Sequence, residues 1–228
     1  MAATAVERRP DGLLGNAVGI GVAVGVYGIS FGVLAVAAGL SPAQACVMSL
    51  VVFTGASQFA FVGVVAAGGG GLAALGPAVM LALRNAAYGV SLAPILAGRL
   101  PRRALAAQFV IDETTAMARS QDDVGTARRA FALTGISVWV CWAAGTAAGA
   151  LMGGVIGDPR AFGLDAMFPA AFLALLGPQL RRPGAPAAAV AGAAVALLLV
   201  PFAPAGVPVI AALAGLVPGV LVARGSRR

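Results

Sequence analysis

Residues able to carry out chemistry are scarce in this chain. Its 228 residues include no His and no Lys, and only 8 acids. The sequence has no phosphate-binding glycine loop, no set of metal ligands and no Ser-His-Asp combination. It also lacks a nucleophile paired with a base. We therefore expect neither an enzymatic activity nor a cofactor.

Arg84 is the most informative charged residue, because apolar residues precede it at 80–83 and follow it at 86–87. A guanidinium in such surroundings must meet an acid, backbone carbonyls, water or an anionic ligand. It could bind the carboxylate of a small solute through two parallel hydrogen bonds. It could instead form a fixed ion pair with an acid of this chain, or extend to an interface. Asn85 lies beside it and Tyr88 one helical turn later, so both could share its surroundings.

Three acids lie near apolar stretches and are candidates for proton transfer: Asp112, Glu113 and Asp165. Each is also a candidate ion-pair partner for Arg84. Asp112 and Glu113 could instead lie at a membrane interface, where acids are less costly. Pro169, four residues after Asp165, would leave the Asp165 carbonyl without its usual helical donor, as at a proton or substrate site. Asp165 could equally begin a helix near the surface, where an acid is favourable.

Residues 53–60 read Phe-Thr-Gly-Ala-Ser-Gln-Phe-Ala and bring polar groups into the apolar run 43–67. Gly55 is a poor helix former, and Thr54, Ser57 and Gln58 carry hydroxyls and an amide. Lipid cannot satisfy such groups, so they must face protein or a water-filled cavity. Transporters build sites from broken helices of this kind. The alternative is that small polar residues only allow two helices to pack closely.

The composition places these residues in a membrane protein. The chain is 60% hydrophobic and 10% charged, with a mean hydropathy of +0.96. Several apolar runs approach the roughly 20 residues that cross a bilayer. The net charge of +7 comes from arginines flanking these runs, where they mark topology and contact anionic lipid rather than nucleic acid. Cys46 and Cys141 lie within apolar runs and indicate neither a disulfide framework nor a metal site.

We predict a single all-α membrane domain, a polytopic helical bundle with seven or eight membrane segments and at least one broken helix. A first half (about 17–97) and a second half (about 131–223) flank a polar connector (98–130). The predicted segments are 17–38, 43–67, 76–96, 131–153, 162–180, 185–202 and 207–222. Residues 104–118 could form a further helix, either interfacial and partly inserted or crossing.

The arginines give a conflicting topology for the first half. Arg8 and Arg9 place the N-terminus in the cytoplasm, and counting back from the C-terminal arginines places Arg128 and Arg129 there too. Three full crossings in the first half would leave Arg128 and Arg129 outside. Either residues 43–67 are re-entrant, or residues 104–118 cross the membrane.

Glycines mark a helix face and a faint internal repeat. Gly21, Gly25, Gly28 and Gly32 recur at three- and four-residue spacing in the first segment, which favours close helix packing. Gly28, Gly32 and Pro42 recur 117 residues later as Gly145, Gly149 and Pro159. Such repeats relate the halves of many transporters, in parallel or inverted orientation, and chance recurrence of glycine is the alternative.

Several stretches resemble the AzlC family of branched-chain amino acid permeases. They are Phe31-Gly32-Val33-Leu34, residues 39–42, residues 53–59, the Arg-x-x-x-Tyr-x-x-Ser-Leu-x-Pro segment from Arg84 to Pro94, the Asp112-Glu113-Thr114 motif and residues 164–175. They keep the family's order from about residue 18 to 180. One departure is Ala82, where many members have Asn two residues before the Arg. Asn85 could partly replace that amide.

The resemblance implies the large subunit of a two-component exporter of branched-chain amino acids, and in some members methionine. It implies a small hydrophobic AzlD-type partner and use of the proton motive force across a bacterial inner membrane. Arg84 would bind the substrate carboxylate, with Asn85 and Tyr88 beside it. Gly55, Ser57 and Gln58 would line the site, and Asp165 or the Asp112-Glu113 pair would carry the proton. The alternative is a passive channel or substrate-binding subunit, which would need no titrating acid.

Overall fold

The computed structural model describes residues 12–153, 173, 176, 177 and 179–225. Its regular structure is helical, and no strand occurs in these residues, so the all-α prediction is confirmed. The helices are α1 (Gly12–Ala37), α2 (Pro42–Val51), α3 (Ala56–Ala66), α4 (Gly71–Leu92), α5 (Leu100–Ala107), α6 (Asp112–Arg119), α7 (Val124–Gly153), α8 (Ala185–Leu199), α9 (Val207–Ala211) and α10 (Leu216–Gly225), with a 3-10 turn (Ala212–Gly215) before α10.

Three helical stretches in the described part are long and apolar enough to cross a membrane: Gly12–Ala37, Val124–Gly153 and Val207–Gly225. Shorter apolar helices are Pro42–Val51, Ala56–Ala66 and Ala185–Leu199. The count of seven or eight segments stays a prediction. Most of the predicted segment 162–180, with Asp165, lies outside the described residues.

The helix at 43–67 is broken, as the residues at 53–60 predicted. Helix α2 ends at Val51 and α3 begins at Ala56. Between them Phe53 has φ 37° and Gly55 has φ 57°, values in the left-handed region that an α-helix does not contain. Glycine accepts this region without a Cβ clash, which accounts for Gly55 at the break.

Helices α1 and α7 begin earlier than the apolar runs suggested, at Gly12 rather than 17 and at Val124 rather than 131. Asp123 explains the second difference, because its Oδ1 accepts a hydrogen bond from the N–H of Thr126 at 2.9 Å. This is an N-cap, and it starts the helix within polar sequence. Hydropathy shows where a helix can be buried, whereas the cap decides where it starts.

The single helix predicted at 104–118 is wrong, because two eight-residue helices, α5 and α6, occupy this region. Thr114 accounts for the interruption. Its buried hydroxyl accepts a hydrogen bond from Ile111 N at 3.1 Å and donates to Phe109 O at 2.7 Å. These bonds satisfy backbone groups that the helix would otherwise pair, so the turn at 108–111 is stable.

The described residues form two compact units. The first holds the described residues up to Val33, Pro42–Phe53 and Arg84–Met152. The second holds Leu34–Ser41, Thr54–Leu83 and the described residues from Gly153 onward.

In the first unit, α1 and α7 pack with their backbones in near contact. A Cβ added to Gly25 would lie 3.0 Å from the Cys141 carbonyl oxygen, and one on Gly28 would lie 2.7 Å from that of Trp142. Gly21 and Gly32 likewise face Ser137 and Thr146, so the predicted glycine face is confirmed. Successive glycines along α1 contact successively later residues of α7, so the two helices run parallel.

These contacts follow the 117-residue repeat. Gly28 faces Trp142, which is the equivalent of Gly25, and Gly145, the equivalent of Gly28, faces Gly25. Such reciprocal contacts are those of a two-fold axis. For these two helices the repeat is therefore parallel rather than inverted.

In the second unit, glycines again allow close packing. Gly206, with φ 93°, would place a Cβ 2.8 Å from the Ala73 carbonyl oxygen at the start of α4. A Cβ on Gly192 of α8 would lie 2.9 Å from the Ala212 carbonyl oxygen. The C-terminal helices thus pack through their backbones on each other and on the first turn of α4.

Candidate functional site

In the first unit, the C-terminal end of α2 lies beside the middle of α7. Trp139, at the midpoint of the 30-residue α7, donates from Nε1 to the Leu50 carbonyl at 3.2 Å. Gln108 Nε2 donates to the Val51 carbonyl at 2.8 Å and to that of Leu50 at 3.3 Å. Carbonyls at a helix C-terminus lack intrahelical donors. Gln108 and Trp139 provide these donors where α2 stops.

The turn between α5 and α6 reaches the same level of α7. Phe109 packs edge-on against Phe53 and Trp139, with ring centroids 6.1 and 6.4 Å apart. A Cβ added to Gly135 would lie 3.2 Å from the Phe109 side chain. Helix α6 then returns toward the start of α7, where Leu92, Val110, Ala118 and Phe131 form a buried apolar cluster. Helices α5 and α6 each span about 12 Å, less than half of the roughly 30 Å that a bilayer core measures.

Arg84 and Asp112 form an ion pair next to this turn. Arg84 Nη1 lies 2.8 Å from Asp112 Oδ2, and the two side chains are 33% and 34% exposed. The guanidinium carbon lies 5.8 Å from the centre of the Tyr88 ring, within cation–π range. Arg84 Nε is buried and has no hydrogen-bond partner in the described part of the chain. One edge of the guanidinium therefore keeps an unused donor.

Glu113 adds a second acid to this cluster. It follows Asp112 in the first turn of α6, where acids interact favourably with the helix dipole. Glu113 is partly buried and lies close enough to Arg84 and Asp112 to interact with both charges. Within the described residues it forms no ion pair. Two acids thus share one cation, and a proton or a cationic group would balance the second.

In the second unit, the residues of the break organise the N-terminus of α3. Gly55 N donates to Gln58 Oε1 at 3.1 Å, and the hydroxyls of Thr54 and Ser57 hydrogen-bond each other. Gln58 is fully buried, and its Nε2 has no hydrogen-bond partner among the described residues. A buried amide donor without an acceptor is costly and therefore uncommon.

The sequence profile of the AzlC family, described as AzlC protein, matches residues 19–156, more than half of the chain. The chain belongs to the AzlC family. A search of curated proteins and a search of solved structures each returned no match. Membership and the apolar helices establish a membrane protein with a transport-related role.

The residues predicted for the site of this AzlC-family chain fall into two groups. Arg84, Tyr88 and Asp112 meet in the first unit, with Glu113 next to them, and Asn85 follows Arg84 on α4. Gly55, Ser57 and Gln58 lie together in the second unit.

Gln108 and Trp139 were not predicted as site residues, and Thr114 was named only as part of the Asp112-Glu113-Thr114 motif. A signal for Gln108 was present, because its amide directly precedes the apolar residues 109–111.

Proposed function

We propose that this AzlC-family protein is a secondary transporter that exports branched-chain amino acids, with methionine as a further candidate substrate. It would act in the cytoplasmic membrane of a bacterium, use the proton motive force and work with a small AzlD-type subunit. The family membership and the motifs around Arg84 and Asp112 support this assignment.

The proton-coupling part of the proposal rests on one observation: a single cation, Arg84, lies near two acids, Asp112 and Glu113. Arg84 balances one acid, at 2.8 Å from Asp112, which leaves one carboxylate without a cation. A carboxylate away from bulk water favours a bound proton or a cationic ligand. A carboxylate that gains and loses a proton here would couple transport to the proton motive force.

Alternate binding of the proton and the amino acid produces exchange. The amino acid would bind when the acid is deprotonated, and protonation of the acid on the other side of the membrane would then favour release of the amino acid. The same acid in the two half-cycles would link outward amino acid movement to inward proton movement. Asp165, outside the described residues, remains a second candidate for the proton.

Arg84 has two proposed roles, one structural and one as a ligand for the substrate. As a structural residue it holds α6 against α4 through Asp112. As a ligand it would offer the unused Nε edge to a substrate carboxylate, with Asn85 and Tyr88 nearby. Arg84→Lys separates these roles, since it keeps the charge but removes the planar pair of donors.

Efflux of labelled leucine from loaded cells tests the proposal. Cells expressing this chain with an AzlD-type partner should lose leucine faster than cells carrying an empty vector, and an uncoupler should remove most of the difference. Glu113→Gln should also impair efflux, whereas Asp122→Asn, which neutralises an exposed acid, should not. No efflux above empty cells would reject the amino acid assignment. Efflux unaffected by the uncoupler would indicate a passive channel.

A further inference from the structure

We infer that the N-terminus of α3 binds the carboxylate of the transported amino acid, with the Gln58 amide as its side-chain ligand. The inference rests on the proposed function for the identity of the substrate. It adds which end of the substrate binds at the break, and through which atoms.

Three backbone N–H groups at the start of α3 have no acceptor among the described residues. The first intrahelical bond of α3 runs from Phe59 N to Gly55 O at 3.0 Å. The N–H groups of Ala56, Ser57 and Gln58 precede it, so the helix provides them with no acceptor. No side-chain cap bonds them either. Three N–H groups therefore point out of the start of an 11-residue helix.

The second and independent observation is the orientation of Gln58. Its Oε1 accepts the Gly55 N–H at 3.1 Å, which fixes the amide at the helix terminus. This bond also determines which amide atom is the nitrogen, because only the oxygen can accept from Gly55. Nε2 is thus held at the same terminus, in a fully buried side chain, without a partner among the described residues.

The atoms at this terminus favour an anionic group. The backbone N–H groups of residues 56–58 and Gln58 Nε2 are all donors, and the helix dipole adds partial positive charge there. An ammonium would be repelled, whereas a carboxylate accepts several N–H bonds and is stabilised by a helix N-terminus. Half-helix N-termini serve anionic substrate groups in transporters with broken helices.

The ion pair between Arg84 and Asp112 is consistent with this assignment. The expected ligand for the substrate carboxylate was Arg84, but its Nη1 is already paired with Asp112 at 2.8 Å. Binding a carboxylate at Arg84 would compete with that ion pair. Binding at α3 breaks no ion pair and satisfies the donor that Gln58 leaves open.

Binding of leucine and leucinamide to the purified complex with its partner subunit tests the inference. Leucinamide keeps the ammonium and the side chain but replaces the carboxylate with a neutral amide. We expect leucine to bind at least tenfold more tightly than leucinamide in isothermal titration. Equal affinity for the two compounds would overturn the inference, and this comparison requires no variant.

Gln58→Glu provides the matching variant. It retains an acceptor for Gly55 N but replaces the Nε2 donor with an oxygen that repels a carboxylate. We expect at least a tenfold loss of leucine affinity, while Gln121→Glu, which makes the same change in the turn before α7, leaves binding unchanged. Unchanged leucine binding by Gln58→Glu would overturn the inference alone. Wild-type protein that neither binds nor exports leucine would instead reject the proposed function.

Discussion

Arg84 of α4 and Asp112 of α6 approach to 2.8 Å between Nη1 and Oδ2. This ion pair connects the second half of a 22-residue helix to the first turn of a helix of only eight residues. A short helix contributes little stability of its own. The ion pair to Arg84 therefore adds to the buried packing of Ala118 in holding α6, and with it Glu113, in place.

Asp112→Asn should lower the melting temperature of the purified complex, because it leaves the guanidinium without its acid. Since both side chains are about a third exposed, we expect a coupling of only about 1 kcal/mol in a double-mutant cycle with Arg84→Gln. Asp122→Asn in the exposed turn is the control. Additive effects of the two substitutions would show that the ion pair contributes no stability.

Gly28→Val should destabilise the protein strongly, since an added side chain meets the Trp142 carbonyl, which belongs to the backbone of α7 and cannot move aside. We expect a loss of about 1–3 kcal/mol, or failure to obtain monodisperse protein. Gly19→Val on the same helix has open space and should be tolerated. Size-exclusion profiles and melting temperatures compare the two. Equal behaviour would contradict the close packing of α1 and α7.

The parallel course of α1 and α7 predicts which positions share a side of the membrane. In a variant without Cys46 and Cys141, single cysteines at Gly12 and Val124 should react with an impermeant maleimide from one side. Cysteines at Ala37 and Met152 should react from the other. Labelling of positions 12 and 124 from opposite sides would contradict the parallel arrangement.

The same arrangement favours one of the two topologies left open by the arginines. Parallel α1 and α7 require an odd number of crossings between them, and α5 and α6 are too short to cross. Helix α4, at 22 residues, is long enough to cross although it carries Arg84, whereas α2 and α3 have only 10 and 11 residues, so we expect α4 to cross and residues 43–67 to be re-entrant. Single cysteines at Ser41 and Gly70 should then be labelled from the same side. Labelling from opposite sides would mean that the broken helix crosses.

Gln108→Leu should destabilise the end of α2, because it removes the donor to the Leu50 and Val51 carbonyls. The expected loss is about 1 kcal/mol of stability, the usual net value of a hydrogen bond. Trp139→Phe removes the second donor, to the Leu50 carbonyl, and should cause part of the same loss. Hydrogen exchange of residues 42–51 measures the effect locally. Unaltered exchange in both variants would show that these bonds do not hold the helix end.

The break at residues 52–55 and the glycine face of α1 could be predicted because each depends on a local pattern, a poor helix former among polar residues or glycines at helical spacing. The interruption at residues 108–111 could not. It contains neither Gly nor Pro, and it depends on the Thr114 hydroxyl bonding the backbone of Phe109 and Ile111. The partner of Arg84 likewise remained open among three acids, since the sequence does not show which one the fold brings near. The orientation of the Gln58 amide depends on a single bond to Gly55.

Proton movement in proteoliposomes tests the central claim most directly. Vesicles containing the complex, loaded with leucine and a pH-sensitive dye and then diluted into leucine-free buffer, should acidify inside as leucine leaves. Glu113→Gln should abolish the acidification, and Asp122→Asn should retain it. Leucine efflux from wild-type vesicles without any change in internal pH, at a clamped membrane potential, would contradict proton-coupled export.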